Sequence, residues 1–268
     1  MARTTTGRRR DQVHHQPDIA RAAQLIADPS RARMLKALGD GRALAAGVLA
    51  AEAGVSAATA SAHLGKLVGA GLVRMESVGR CRYYRLAGPD VSLALEALAV
   101  IAPPLPVTSL RASSTAGALR RSRTCYDHLA GRLGVDLLEA LLRGGLLAGH
   151  DGTHRPGRSV RDGASGYGHD VDYRLTDTGR KTLAGFGVDL DRLPARRPPI
   201  RYCVDWSEQR HHLAGAVGAA LTARLFALRW LRHGSTPRVV HVTEDGSDGL
   251  AATFGLRPAA PEGPTPTD

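Results

Sequence analysis

The chain has 268 residues with 43% hydrophobic side chains, enough for two packed domains and too apolar for a wholly disordered protein. A formal net charge of +11 favours a polyanionic partner, although arginine carries most of it and Lys36, Lys66 and Lys181 are the only lysines. Three cysteines cannot all pair, which argues against a disulfide framework and for a reducing, cytoplasmic setting.

Residues 1–16 read as a disordered basic tail, with Arg8-Arg9-Arg10 a candidate phosphate-contacting arm and no signal peptide expected. Asp18 to Ala27 predicts a helix. Asp28 caps a second, with Pro29 at the first helical position, where a missing N–H costs nothing. Leu44 to Ala53 predicts a third, stopped by Gly54. Ser56 caps a fourth, which runs to about Ala70 and ends at Gly71. Val73 to Leu86 alternates as two strands around Gly79, a hairpin wing. A helix follows from Pro89 to Ile101 until Pro103-Pro104-Leu105-Pro106 breaks it.

Two helices joined by the tight Ala53-Gly54-Val55 turn match a helix-turn-helix whose second helix enters the major groove of double-stranded DNA. On that helix Ala60, Leu64, Leu67 and Val68 share the face expected to be buried. Ser56, Ala57, Thr59, Ser61, Ala62, His63 and Lys66 are the expected DNA contacts, with Lys66 on a phosphate and the short polar side chains near base edges. Its alanines make direct readout sparse, leaving shape and methyl contacts to contribute. The wing adds Arg80 and Arg82, with Tyr83 facing outward beside Cys81.

Three segments together, Ala27-Asp28-Pro29-x-Arg31-x-x-x-Leu35, Val55-Ser56-x-x-Thr59-x-Ser61-x-His63-Leu64 and Gly79-Arg80-x-Arg82-Tyr83-Tyr84-Arg85-Leu86, resemble the ArsR family of dimeric bacterial repressors. The resemblance covers about Pro17 to Ala102. It implies a homodimer joined through helices Asp18–Ala27 and Pro89–Ile101, an inverted-repeat operator, and release by an inducer. The family's usual metal positions are not filled here. Leu44 to Ala50 has no thiol, and the terminal helix offers Asp90 and Glu96 but no histidine.

The expected fold is mainly α with small β-hairpin wings (α+β). It divides into a winged helix-turn-helix DNA-binding and dimerisation domain at 17–102, a linker at 103–122, a winged-helix-like regulatory domain at 123–257 and a disordered tail at 258–268. The second half carries a diverged internal repeat. His128-Leu129-Ala130-Gly131 recurs as His212-Leu213-Ala214-Gly215, and Leu175-Thr176-Asp177-Thr178-Gly179 as Val242-Thr243-Glu244-Asp245-Gly246. Each copy reads as helix, strand, capped turn and helix. Leu213 to Leu231 reads as an amphipathic core helix and not a membrane span, because Arg224 and Arg229 interrupt it. Gly144 to Gly168 reads as a mobile insertion.

Candidate signal receivers are spread over the chain. Cys81, between Arg80 and Arg82, is a candidate oxidation-sensitive thiolate. Cys125 and His128, read on one helical face, join Cys203 as candidate ligands for zinc or another transition metal, or as a redox pair; buried core residues are the plainer alternative. Tyr126, Tyr202, Trp206 and Trp230 are candidates for an organic-ligand pocket. The adjacent pair His211-His212 diverges if helical and forms no site alone.

Together these features point to a sequence-specific transcriptional regulator. The expected form is a homodimeric repressor released by a small-molecule, metal or oxidant inducer, with no membrane partner and no certain cofactor. The alternatives are an architectural, nucleoid-type DNA binder and a thiol enzyme fused to a DNA-binding domain. No phosphate loop, nucleophile elbow or metalloprotease helix supports an enzyme.

Overall fold

The computed structural model describes residues 17–79, 81–103, 109–154 and 173–258. The basic tail, the segment 104–108, most of the glycine-rich insertion and residues 259–268 lie outside the described residues. Helix α1 (Ile19–Ala27) starts on the Asp18 carboxylate, which accepts from the Arg21 N–H at 2.9 Å. Helix α2 (Pro29–Ala37) starts in the same way on Asp28, which accepts from the Arg31 N–H at 2.9 Å. Strand β1 (Leu44–Ala45), α3 (Ala46–Ala53), α4 (Ala57–Gly69), β2 (Val73–Val78), β3 (Cys81–Leu86) and α5 (Pro89–Ile101) follow.

The third helix therefore begins later than expected. Leu44 and Ala45 pair antiparallel with Tyr84 and Tyr83, so backbone groups along one edge of β3 are taken up by a short strand. The sheet order is β1-β3-β2, with Val73 opposite Leu86 and Val78 opposite Cys81. Val73, Tyr84 and Leu86 point inward onto Met34, Leu35, Leu38, Leu49, Leu64 and Leu67, the apolar core of this half. Val68 is not part of that core: at 36% exposure it lies outside the buried Ala60–Leu64–Leu67 line.

Part of the segment expected as a linker is folded. Helix α6 (Leu110–Arg121) occupies it, rich in Ala, Leu and Arg, and residue Leu119 is buried. Beyond it the repeat is fully expressed. The first copy is β4 (Arg123–Cys125), β5 (His128–Ala130), α7 (Gly131–Arg143), β6 (Leu147–Gly149), β7 (Tyr173–Leu175) and α8 (Asp177–Gly185). The second is β8 (Arg201–Val204), β9 (His211–Ala214), α9 (Gly215–Ala227), β10 (Leu231–His233), β11 (Val240–Val242) and α10 (Glu244–Phe254).

Each copy is thus a hairpin, a helix, a second hairpin and a second helix, one hairpin more than expected. The His-Leu-Ala stretches are strands, not helices, so Cys125 and His128 do not share a helical face. Gly131 and Gly215, at φ 73° and 81°, turn the chain from strand to helix. A Cβ there would lie 2.8 Å from the Arg120 carbonyl oxygen or the Arg201 nitrogen, so only glycine fits. The expected Leu213–Leu231 helix is divided in the same way, with Leu213 on β9, α9 in the middle and Leu231 on β10.

Leu133, Leu137, Leu138 and Leu141 of α7 pack with Val217, Leu221 and Leu225 of α9, so the two copies share one core. The halves meet along α5, which packs on β8. Glu96 of α5 is buried, accepts from Arg238 Nη2, and lies 3.8 Å from Arg123 Nη2. A buried carboxylate with two guanidiniums fixes one orientation, because leaving any of these charges unpaired costs several kcal/mol, roughly 3–5.

Candidate functional sites

Ser56 builds the start of α4. Its Oγ accepts from the Thr59 N–H at 3.2 Å and lies 2.9 Å from Thr59 Oγ1. Ser56, Ala57, Thr59, Ser61, Ala62 and Lys66 are all exposed along one side of the helix, while Ala60, Leu64 and Leu67 anchor the other. The helix N-terminus, with its positive partial charge, is therefore open to an anion such as a backbone phosphate. Arg33 holds the preceding turn in place by donating from Nη1 to the Ala53 carbonyl at 3.0 Å.

His63 departs from the expected pattern. Its side chain is 16% exposed and turns toward α2, with Nδ1 3.5 Å from Arg31 Nη1 and 3.8 Å from Asp28 Oδ1. It braces α4 against the cap of α2 instead of reaching out to bases. On the wing Arg82 is exposed, Arg85 is held by Glu76 at 2.7 Å, and Tyr83, on the face away from Tyr84 and Leu86, is half-buried opposite Ala45. Arg80 lies outside the described residues. Cys81 is exposed on β3, apart from the other thiols.

A second constellation lies at the junction of the repeats. Arg123, Thr124 and Cys125 pair with Ala130, Leu129 and His128, and Arg201, Tyr202 and Cys203 pair with Ala214, Leu213 and His212. Each hairpin therefore sets a cysteine directly across from a histidine. The hairpins pack together, and one ligand atom from each of Cys125, His128, Cys203 and His212 lies within 4.8 Å of the other three. All four side chains are buried, and the imidazoles stack with centroids 5.3 Å apart.

A carboxylate stands beside each imidazole. Asp127 Oδ1 is 3.4 Å from His128 Nδ1, and Asp205 Oδ2 is 3.6 Å from His212 Nδ1. Burial pushes the Asp127 carboxyl up, but Arg197 and His128 outweigh it and hold it at about 2. Asp205 is likewise pulled well below the carboxylate range against its burial, by Arg123, His212, the Ser207 hydroxyl and the Gly131 N–H. A hydrogen bond with Cys203, together with burial, pushes the Cys125 thiol up. Burial pushes His212 well below its ordinary value. Burial would lower His128 too, but Cys125 and Asp127 raise it to about 9.

Sequence spacing sets His211 and His212 only near the Cys125, His128 and Cys203 candidates; the fold brings in His212, the repeat equivalent of His128. His211, its neighbour on β9, takes the opposite face, with Tyr173 Oη at 2.8 Å from its Nδ1 and Tyr202 stacked at 4.0 Å. The four aromatics expected to form one pocket are dispersed. Trp206 lies under Arg123 at 4.3 Å and Trp230 packs on Phe186, leaving Tyr126 and Tyr202 beside a cavity of about 310 Å³ that also reaches the two cysteines.

An exposed, capped second helix with an adjoining hairpin defines a winged helix-turn-helix DNA-binding protein. A helix-turn-helix domain family matches residues 26–76. The chain is 38% identical over 231 residues to the uncharacterized HTH-type transcriptional regulator YdfF of Bacillus subtilis (strain 168), covering 86% of this chain and 94% of that protein. Among solved structures, the homodimeric winged helix-turn-helix domain Mb0332 of Mycobacterium bovis, a possible ArsR-family regulator, is 32% identical. It covers 32% of this chain and 87% of its own at a TM-score of 0.29. The cadmium sensor CMTR of Mycobacterium tuberculosis is 36% identical over 34% of this chain and 99% of its own, at a TM-score of 0.28. The chain belongs to the HTH-type transcriptional regulators, a class of DNA-binding proteins and not of enzymes. Among its described residues no helix is long and apolar enough to cross a membrane.

Proposed function

We propose that the protein is a cytoplasmic homodimeric repressor that binds an inverted-repeat operator through residues 17–102 and is released by a signal received in residues 123–257. The open side of α4 carries this reading. Ser56, Ala57, Thr59, Ser61, Ala62 and Lys66 have no protein cover, and each is short or cationic enough to lie against a duplex. Arg82 and Tyr83 extend the surface along the wing. A dimer through α1 and α5 is supported by their uncovered apolar residues: α1 has no fully buried side chain, only Ile26 of it packing on the core, and Ile19 is 77% and Ile101 79% exposed.

Footprinting on fragments selected from a random-sequence pool tests the reading. The expected result is a bounded, palindromic protection with half-sites about one helical turn apart. Protection without a boundary would make the protein an architectural binder instead. Lys66→Ala should weaken binding to specific and random DNA alike and reduce the slope of log affinity against log salt by about 1. An unchanged slope removes Lys66 from the phosphate contacts.

A further inference from the structure

The buried cluster between the repeats has the donors, the packing and the surroundings of a closed metal centre. Among the described residues, Nε2 of His128 and both ring nitrogens of His212 are buried without a hydrogen-bond partner. An imidazole nitrogen sealed from water and left unmatched costs free energy, about 1–3 kcal/mol each, unless something else satisfies it. Asp127 and Asp205 stand at the Nδ1 sides, the position that carboxylates take beside metal-bound histidines to fix ring orientation. That leaves Nε2 on each ring as the nitrogen available to a metal.

We propose that Cys125, His128, Cys203 and His212 form a tetrahedral site for a borderline transition-metal ion with the coordination chemistry of zinc, and that this ion is the signal read by the C-terminal half. Two thiols and two imidazoles are a standard tetrahedral zinc set, in which bond lengths of about 2.0–2.3 Å bring neighbouring donors to about 3.3–3.8 Å. The observed spread within 4.8 Å needs only a small closure of one hairpin toward the other. Two S–H bonds and the ring N–H of the His128 imidazolium are exchanged for metal–ligand bonds, and these three protons leave to solvent. The dication and two thiolates sum to zero charge, which suits a buried place. The cavity of about 310 Å³ beside Cys125 and Cys203 provides the approach. The repeat itself explains the donor set, since one Cys–His cross-strand pair in each copy supplies half of it.

The hairpin that carries two of the ligands is tied to the DNA-binding half on both sides. The Tyr126 N–H donates to the Gly39 carbonyl at the end of α2, at 2.5 Å. Thr124 exchanges two hydrogen bonds with Arg238, through its N–H at 2.9 Å and its carbonyl at 3.0 Å, and Arg238 pairs with Glu96 of α5. Closing the cluster therefore pulls on α2 and α5 together.

Full-length reduced protein, stripped with a chelator, is titrated with cobalt(II). The expected result is one equivalent per chain, tetrahedral d–d bands and a thiolate charge-transfer band, all displaced by zinc. Cys125→Ser and Cys203→Ser lose the charge-transfer band or weaken it, and Cys81→Ser retains it. In the wild type, zinc shields Cys125 and Cys203 from alkylation while Cys81 reacts, a readout that does not depend on the variants folding. Absence of the bands, or equal alkylation of all three thiols with and without zinc, overturns the site.

The role as signal rests on the repressor reading and is measured separately. Zinc should change wild-type operator affinity by about tenfold or more, with no effect on Cys203→Ser. Cobalt bands with an unchanged operator affinity overturn the signal role. Cobalt bands in a protein that protects no operator would instead sink the repressor reading and leave the centre standing.

Discussion

His63 sits on α4 where a short polar side chain is expected to meet a base, yet its imidazole lies in the angle between Asp28 and Arg31. Asp28 is already occupied as the cap of α2, accepting from the Arg31 N–H, and this bond holds its carboxyl below the usual range. The three residues therefore lock the reading helix onto α2. His63→Ala should leave the ratio of specific to random DNA affinity within about twofold, while lowering the unfolding free energy by about 0.5–1.5 kcal/mol, the net worth of a part-buried polar contact. Denaturant unfolding and paired binding titrations check this. A collapse in specificity at unchanged stability would return His63 to the base-contacting set.

At the scale of elements, what could be read in advance was what is local. The caps at Asp28 and Ser56, the left-handed stop at Gly54 and the bounds of α5 follow from side-chain caps, a glycine and flanking prolines within a few residues, and they stand as expected. The hairpins at 123–130 and 201–214 were not legible. Their strands are only three or four residues long and buried nearly throughout, so no alternation marks them. The leucines at 129, 133 and 137 mimic a helical stripe across the glycine that actually begins α7. A helical reading of these stretches also hides the Cys–His pairing across each hairpin, so that His212 stands near the candidate site in sequence without a defined place in it, even though the repeated His-Leu-Ala-Gly equates it with His128.

Two glycine substitutions in one unfolding experiment test this account. Gly215→Ala forces a Cβ into backbone at 2.8 Å at a φ of 81° and should cost about 1–3 kcal/mol. Gly65→Ala, inside α4 with nothing within 4 Å of the new carbon, should stabilise by about 0.5–1 kcal/mol. Equal effects would mean that the strand-to-helix turn does not depend on glycine.

For the whole molecule, the homodimer proposed above needs a surface that joins two copies. The C-terminal half takes the Ser92–Glu96 side of α5, where the Arg123 and Arg238 pairs lie, so that face is not free for a partner. What remains is the far end of α5, with Leu98 and Ile101 exposed, and α1 with Ile19. Single apolar residues at a surface are ordinary, but these lie on the terminal helices through which the family resemblance implies dimerisation. Burying them between copies gives each dimer two α4 helices to span two half-sites, and linking two modest contacts raises affinity by about 10²–10⁴ without any new contact. Ile19→Glu combined with Ile101→Glu places two charges in that interface while touching neither core, so the fold should persist. Sedimentation velocity should then show a monomer, and operator affinity should fall by about a hundredfold or more as the half-sites bind independently. A dimer that survives both charges with its operator affinity intact would assign self-association to the C-terminal half, where α9 and its repeat mate α7 would be the elements to examine next.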